Sequence, residues 1–172
     1  MKNVKSKLES GFILIALLTC FSCFRTEAQS GSSVQDTKKI ALSWIETLNR
    51  HDTDALILFY DEHVQLESPN WEGIKTGRKE AKEIYSRYFT STPDLTHELL
   101  HMVANDSAVV IEYRSSGTLK NNEPNVPDYM RGKKYILINC TSMDIRNGKI
   151  IRQATYFDQV SFLRQMGFFD RK

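Results

Sequence analysis

The sequence predicts an α+β domain, and two observations carry that prediction. Two alternating runs, residues 133–146 and 149–158, flank Asn147-Gly148. Asn-Gly suits a type I′ turn, whose central residues both need positive φ, so the pair reads as a β-hairpin. Toward the N-terminus apolar residues recur instead at helical spacing, at Ile40, Ala41, Trp44, Ile45 and Leu48, and again at Ala81, Ile84, Tyr85, Tyr88 and Phe89. Helices first and strands afterwards, rather than in alternation, point to an antiparallel sheet packed on helices and not to a parallel doubly wound one.

The chain opens on what reads as a leader. Lys2, Lys5 and Lys7 precede an uncharged run, residues 11–24, which is short for a membrane span and right for a signal-peptide core. Thr26-Glu27-Ala28 offers a cleavage site, so residues 1–28 are expected to be a signal peptide and the protein exported, periplasmic or secreted. The competing ending is a lipoprotein acylated at Cys20 or Cys23, the one route by which the chain would engage a membrane after processing; an uncleaved anchor is a third. The leader holds Lys2, Lys5, Lys7 and Arg25 against Glu9 and Glu27, which accounts for the whole excess of 23 basic over 21 acidic residues. The remainder is neutral and offers no basic patch for nucleic acid. Cys140 is the sole cysteine left after the leader, so no internal disulfide forms and the fold must hold by packing.

After a polar linker at 29–33, a domain over 34–170 is expected. Its first helix carries the Ile40 to Leu48 stripe, Thr53 and Asp54 open a second short helix through Phe59, and Thr76-Gly77 opens a third. Beyond Pro93 the period drops to two: Val109, Ile111 and Tyr113 alternate with Val110, Glu112 and Arg114. The stretch 121–131, with Pro124 and Pro127, is irregular. An unbroken hairpin register from Arg146 opposite Lys149 sets Asn139 against Tyr156 and Leu137 against Asp158. One face then holds Tyr135, Leu137, Asn139, Thr141, Ala154, Tyr156 and Asp158. Asp158 is its single carboxylate, where a raised pKa and acid/base chemistry are expected. The opposite face, with Ile136, Ile138, Cys140, Ile151 and Phe157, is apolar too and predicts a homodimer through Ile136, Ile138 and Phe157.

Particular motifs resemble a known family. Asn147-Gly148-Lys149-Ile150, Tyr156-Phe157-Asp158 and Phe162-Leu163-Arg164-Gln165-Met166-Gly167 are similar to the C-terminal signature of SnoaL-like proteins, in the nuclear transport factor 2-like superfamily. Phe59-Tyr60-Asp61-Glu62-His63-Val64 and Gly77-Arg78-Lys79-Glu80-Ala81 resemble its upstream elements. The resemblance implies a curved antiparallel sheet around helices, a conical pocket for a small, largely apolar organic molecule, and no cofactor. It places Asp158 at the position of an acid/base aspartate of cyclases or isomerases, with Tyr156 and Asn139 beside it. Tyr135, Leu137, Trp44, Tyr60 and Phe89 are candidate pocket walls and Trp71 a candidate lid. Two other readings stand beside catalysis: Asp158 as the N-cap of a helix over 160–166, in a protein that only binds, and an interaction module using its sheet face.

His97-Glu98-Leu99-Leu100-His101 spells the zinc-protease motif, which on a helix would put both imidazoles on one metal. The resemblance places this segment in a strand, where four residues span about 13 Å. No metal is expected there.

Overall fold

A computed structural model describes residues 33–120 and 128–170. The expected leader, Cys20 and Cys23, and most of the irregular stretch lie outside the described residues. The elements run α1 (Val34–Asn49), α2 (Thr53–Leu56), β1 (Tyr60–Glu67), β2 (Lys75–Thr76), α3 (Arg78–Ser91), β3 (Thr96–Ala104), β4 (Ala108–Leu119), β5 (Lys133–Arg146), β6 (Lys149–Phe157) and α4 (Gln159–Gln165).

Helix α1 begins where Ser33 and Asp36 form a reciprocal capping box, each side chain accepting from the other residue's backbone N–H. Its buried stripe is Ala41, Trp44, Ile45 and Leu48, as the periodicity predicts, and it lies against β3 and β4. Asp52 caps α2, one residue before the expected start, and the helix tightens into a 3₁₀ turn at Ile57–Phe59. Helix α3 buries Ala81, Ile84 and Tyr85 and packs on β1.

One six-stranded, curved and unclosed sheet runs in the order β2-β1-β6-β5-β4-β3. It is antiparallel except at one seam, where β1 lies parallel to β6. The wholly antiparallel sheet expected from sequence is corrected at that point. Strands β1 and β6 are not joined by a hairpin; long excursions separate them, so nothing forces opposite directions. The 3₁₀ turn at Asp128–Met130 and α4 close one end of the concave side, where Leu119, Met130 and Met166 form a second small core.

The β5–β6 turn is of the expected type, with φ of 52° at Asn147 and 72° at Gly148. The register beyond it is not. Arg146 faces Lys149 and Ile145 faces Ile150, but Asp144 then pairs with Arg152, leaving Ile151 as a bulge. Every later partner moves by one: Thr141 faces Thr155, Cys140 faces Tyr156 and Asn139 faces Phe157. The predicted faces of β6 therefore exchange. Gln153, Thr155 and Phe157 join Leu137, Asn139 and Thr141 on the concave side, while Tyr156 joins Ile136 and Ile138 outside, 54 % exposed.

Arg152 supplies the physical reason. In the unbroken register it would face Met143, which is fully buried, and a buried unpaired guanidinium costs several kcal/mol, against about 1 kcal/mol for one disturbed ladder bond. With the bulge, Arg152 reaches the wet face, its Nε and a terminal nitrogen 3.0 and 2.9 Å from Glu67 Oε1 and its other terminal nitrogen 3.9 Å from Asp144.

Candidate functional site

The concave side of the sheet, α1, α3 and the end cap enclose a cavity of about 360 Å³. Its position follows from packing. Val109, Ile111, Met143, Ile145 and Ile150 pack with α1, α3 and β1 into the main core, and the cavity lies beyond it, toward Ser115, Leu137 and Asn139. The base holds a buried polar network. Trp44 Nε1 donates to the Tyr60 hydroxyl at 2.8 Å, which donates to Gln153 Oε1 at 2.6 Å, and Gln153 Nε2 donates to the Tyr85 hydroxyl at 2.9 Å. Tyr60 is completely buried and burial pushes its phenol, like that of Tyr85, well above the ordinary range, so both remain protonated donors.

Above this floor the wall is mainly aromatic and aliphatic. Of the candidate pocket residues, Trp44, Phe89, Tyr135, Leu137 and Asn139 line the cavity, as does Trp71, the candidate lid. Phe89 is held by stacking on His51, ring centroids 4.6 Å apart, and Tyr135 by an edge contact with Phe162 at 5.5 Å. Tyr60 belongs to the floor beneath and does not itself line the cavity.

Two expected site residues lie elsewhere. Tyr156 is on the convex face, for the register reason given above. Asp158 is exposed at the end of β6 and caps α4: its carboxylate accepts the Ser161 backbone N–H at 3.0 Å and the Ser161 hydroxyl at 2.6 Å. These hydrogen bonds lower its pKa, the opposite of the rise expected for a carboxylate in an apolar pocket. Of the two readings of Asp158, the N-cap is the one its surroundings support. Likewise Phe157, expected in the outer apolar patch, is part of the cavity wall.

The cavity also contains residues that the sequence does not assign to a pocket. His97 on β3 faces inward, its ring edge-on to Tyr113 at 5.6 Å, with Nδ1 2.9 Å from the Ser115 hydroxyl. Asn139 Nδ2 lies 2.9 Å from that same hydroxyl and within 3.3 Å of the Leu137 carbonyl. Burial pushes His97 down to about 4, so the imidazole is neutral in ordinary buffers. The buried nitrogens His97 Nε2 and Trp71 Nε1 have no hydrogen-bond partner, and both residues line the cavity.

The same strand disposes of the zinc motif. A bulge between Leu99 and His101 leaves His97 opposite Ser115 on the concave side and His101 opposite Glu112 on the convex side, while Glu98 is paired with Arg114. The two imidazoles lie on opposite faces of the sheet and cannot share one ion. Glu67 at the rim, a cavity-lining carboxylate, is engaged by Arg152.

The capping role of Asp158 has a measurable consequence. Because its folded pKa is depressed, its stabilising contribution is present above the ordinary carboxylate pKa and is lost as pH falls through the folded value. Asp158→Ala is expected to lower the melting temperature at neutral pH, by less in acid, whereas Asp158→Asn retains most of the stability because an amide also caps. Thermal melts at several pH values check this. A variant that melts like the wild type but no longer binds in the cavity would return Asp158 to the site.

Comparison with known proteins agrees with this architecture. A family model described as SnoaL-like polyketide cyclase matches residues 38–166. Among solved structures, a candidate polyketide cyclase from Xanthomonas campestris pv. campestris superposes with a TM-score of 0.68 at 24% identity, over 78% of this chain and 99% of its own. A SnoaL-like polyketide cyclase from Agrobacterium tumefaciens gives 0.64 at 23%, over 76% and 98%. SalBIII, an epoxide hydrolase/cyclase-like enzyme of pyran ring formation in the polyether salinomycin, gives 0.62 at 20%, over 74% and 94%. A comparison with curated proteins finds no match. With a family model covering most of its length and a cavity-bearing cone of the same fold, this chain belongs to the SnoaL-like polyketide cyclase family.

Proposed function

We propose that this protein is an exported, dimeric binding protein for a small, largely apolar organic molecule. The observation that carries the reading is the cavity of about 360 Å³, walled mainly by aromatic and aliphatic side chains but bearing two buried nitrogens without partners. A pocket of that size, apolar with a few convergent polar groups, suits one small ligand. Buried polar atoms left unpaired inside a protein cost about 1–3 kcal/mol each, and a ligand that pairs them recovers that energy.

Acid/base chemistry of the kind expected at Asp158 finds no support in this geometry. That carboxylate is outside the cavity, Glu67 is held by Arg152, and an imidazole with a pKa of about 4 is a weak base at neutral pH. Relatives named as cyclases or as a hydrolase/cyclase-like enzyme share the fold, but a fold hosts many chemistries and none.

Binding is testable with tetralin, a bicyclic hydrocarbon, because Trp44 and Trp71 are the only tryptophans of the chain and both line the cavity. Titration should change the tryptophan emission saturably, at one molecule per chain. Leu137→Trp, which fills the cavity from β5, should weaken binding at least tenfold while circular dichroism stays unchanged. Equal binding by this variant would place the ligand elsewhere.

The dimer reading rests on the convex face, where Ile136 is 58 % and Ile138 47 % exposed beside Tyr156 and Cys140. So much apolar surface on one side of a sheet suits a twofold partner. Tyr156 takes the place there that the sequence reading gave to Phe157. Sedimentation at micromolar concentration should give twice the chain mass, and Ile138→Asp should reduce it to one chain with tetralin binding retained. A monomeric wild type would contradict the reading.

Export rests on the leader alone. The intact mass of the native protein is expected to begin at Gln29, and a mass carrying acyl chains on Cys20 or Cys23 would establish a lipoprotein instead.

A further inference from the structure

Three side chains from three adjacent strands meet at one point of the cavity wall: Asn139 of β5, Ser115 of β4 and His97 of β3. The proton direction at Asn139 follows from partners that cannot change role, and the direction at Ser115 from giving its single proton an acceptor. Asn139 Nδ2 lies near the carbonyl oxygens of Leu137 and Tyr113, at 3.3 and 3.5 Å, and carbonyls only accept, so this end of the amide is its donating NH₂. The amide therefore donates to Ser115 Oγ at 2.9 Å. The serine hydroxyl has one proton, and of its two described partners only His97 Nδ1, 2.9 Å away, can accept it, the other being the donating amide. A neutral imidazole whose Nδ1 accepts must carry its proton on Nε2, and that is the buried nitrogen without a partner.

We infer that His97 is the specificity-determining residue of the cavity: the Asn139–Ser115 relay locks it as the Nε2–H tautomer, so that it presents a fixed donor and selects an apolar ligand carrying an acceptor oxygen such as a ketone carbonyl. The inference rests on the small-molecule reading above and sharpens it. Trp71 Nε1–H can only donate as well, so both unpaired nitrogens ask for the same ligand chemistry. Burial keeps the ring uncharged, so an anion gains no ion pair there and a cationic group meets a donor where it needs an acceptor. A site that offers a buried donor discriminates against a ligand lacking the matching oxygen, because the donor is then left unpaired.

Two measurements test this on the full chain. Long-range proton–nitrogen correlation on ¹⁵N-histidine-labelled protein should show His97 with Nε2 protonated and Nδ1 bare, and Ser115→Ala should erode that pattern. Tryptophan-monitored titration should then show 1-tetralone binding about tenfold more tightly than tetralin, the difference expected for one neutral hydrogen bond. His97→Phe keeps a ring against Tyr113 and should abolish the preference, bringing the affinities for 1-tetralone and tetralin within twofold of each other. A proton on Nδ1, or equal affinity of the wild type for the two compounds, overturns the inference while leaving the small-molecule reading intact. Failure of both compounds to bind overturns that reading and the inference with it.

Discussion

Arg152 cannot be buried, and much of the molecule is arranged around that constraint. The tight turn at Asn147-Gly148 starts β6 in a register that would turn the guanidinium toward Met143 in the core. One extra residue, Ile151, reverses the parity of the strand and delivers Arg152 to Glu67 and Asp144 on the wet face. The same half-turn brings Gln153, Thr155 and Phe157 into the cone and sends Tyr156 out of it. The identity of the cavity wall is thus a consequence of where one charge must go. The ion pair also links β6 to the end of β1, at the only parallel seam in the sheet.

Once Gln153 points inward it becomes the hub of the cavity floor. Its amide bridges Tyr60 and Tyr85, and Trp44 ties α1 to the same cluster, so helix, strand and floor are held by mutually satisfied donors and acceptors. Such a network rigidifies what lies above it only when every member is paired. Here the floor is paired and the wall above is not, at His97 and Trp71. That difference separates the part of the cone that acts as structure from the part that acts as site.

The electrostatics of the cavity follow the same division. The carboxylates near it are occupied, Glu67 by Arg152 and Asp158 by the first turn of α4, while His97 is kept neutral by burial. What remains is a mainly aromatic and aliphatic enclosure with fixed donors, Arg87 and Glu67 being its charged lining residues, and it recognises shape and acceptor groups. The end of α4 also helps to close the cone, since Met166 and the 3₁₀ turn at Asp128–Met130 pack together there. The cap that Asp158 supplies therefore supports the cavity from outside.

The sequence by itself determined the α+β class, the order of helices and strands and the turn at Asn147-Gly148, because each depends on local chemistry: helical periodicity, alternation, and the positive φ that Asn-Gly accepts. The strand placement of His97 to His101 came instead from the family resemblance. What only the tertiary structure decided was the parity of β6, and with it the exchange of Tyr156 for Phe157, and the company that His97, Ser115 and Asn139 keep across three strands. A signal for the bulge was present, since an alternating strand that would put Arg152 against Met143 is in conflict with itself. Reading it required knowing which face of β5 is buried. Asp158 illustrates the limit most directly, for a carboxylate at a strand's end can face a pocket or cap the next helix, and only the direction the chain takes after Phe157 chooses between them.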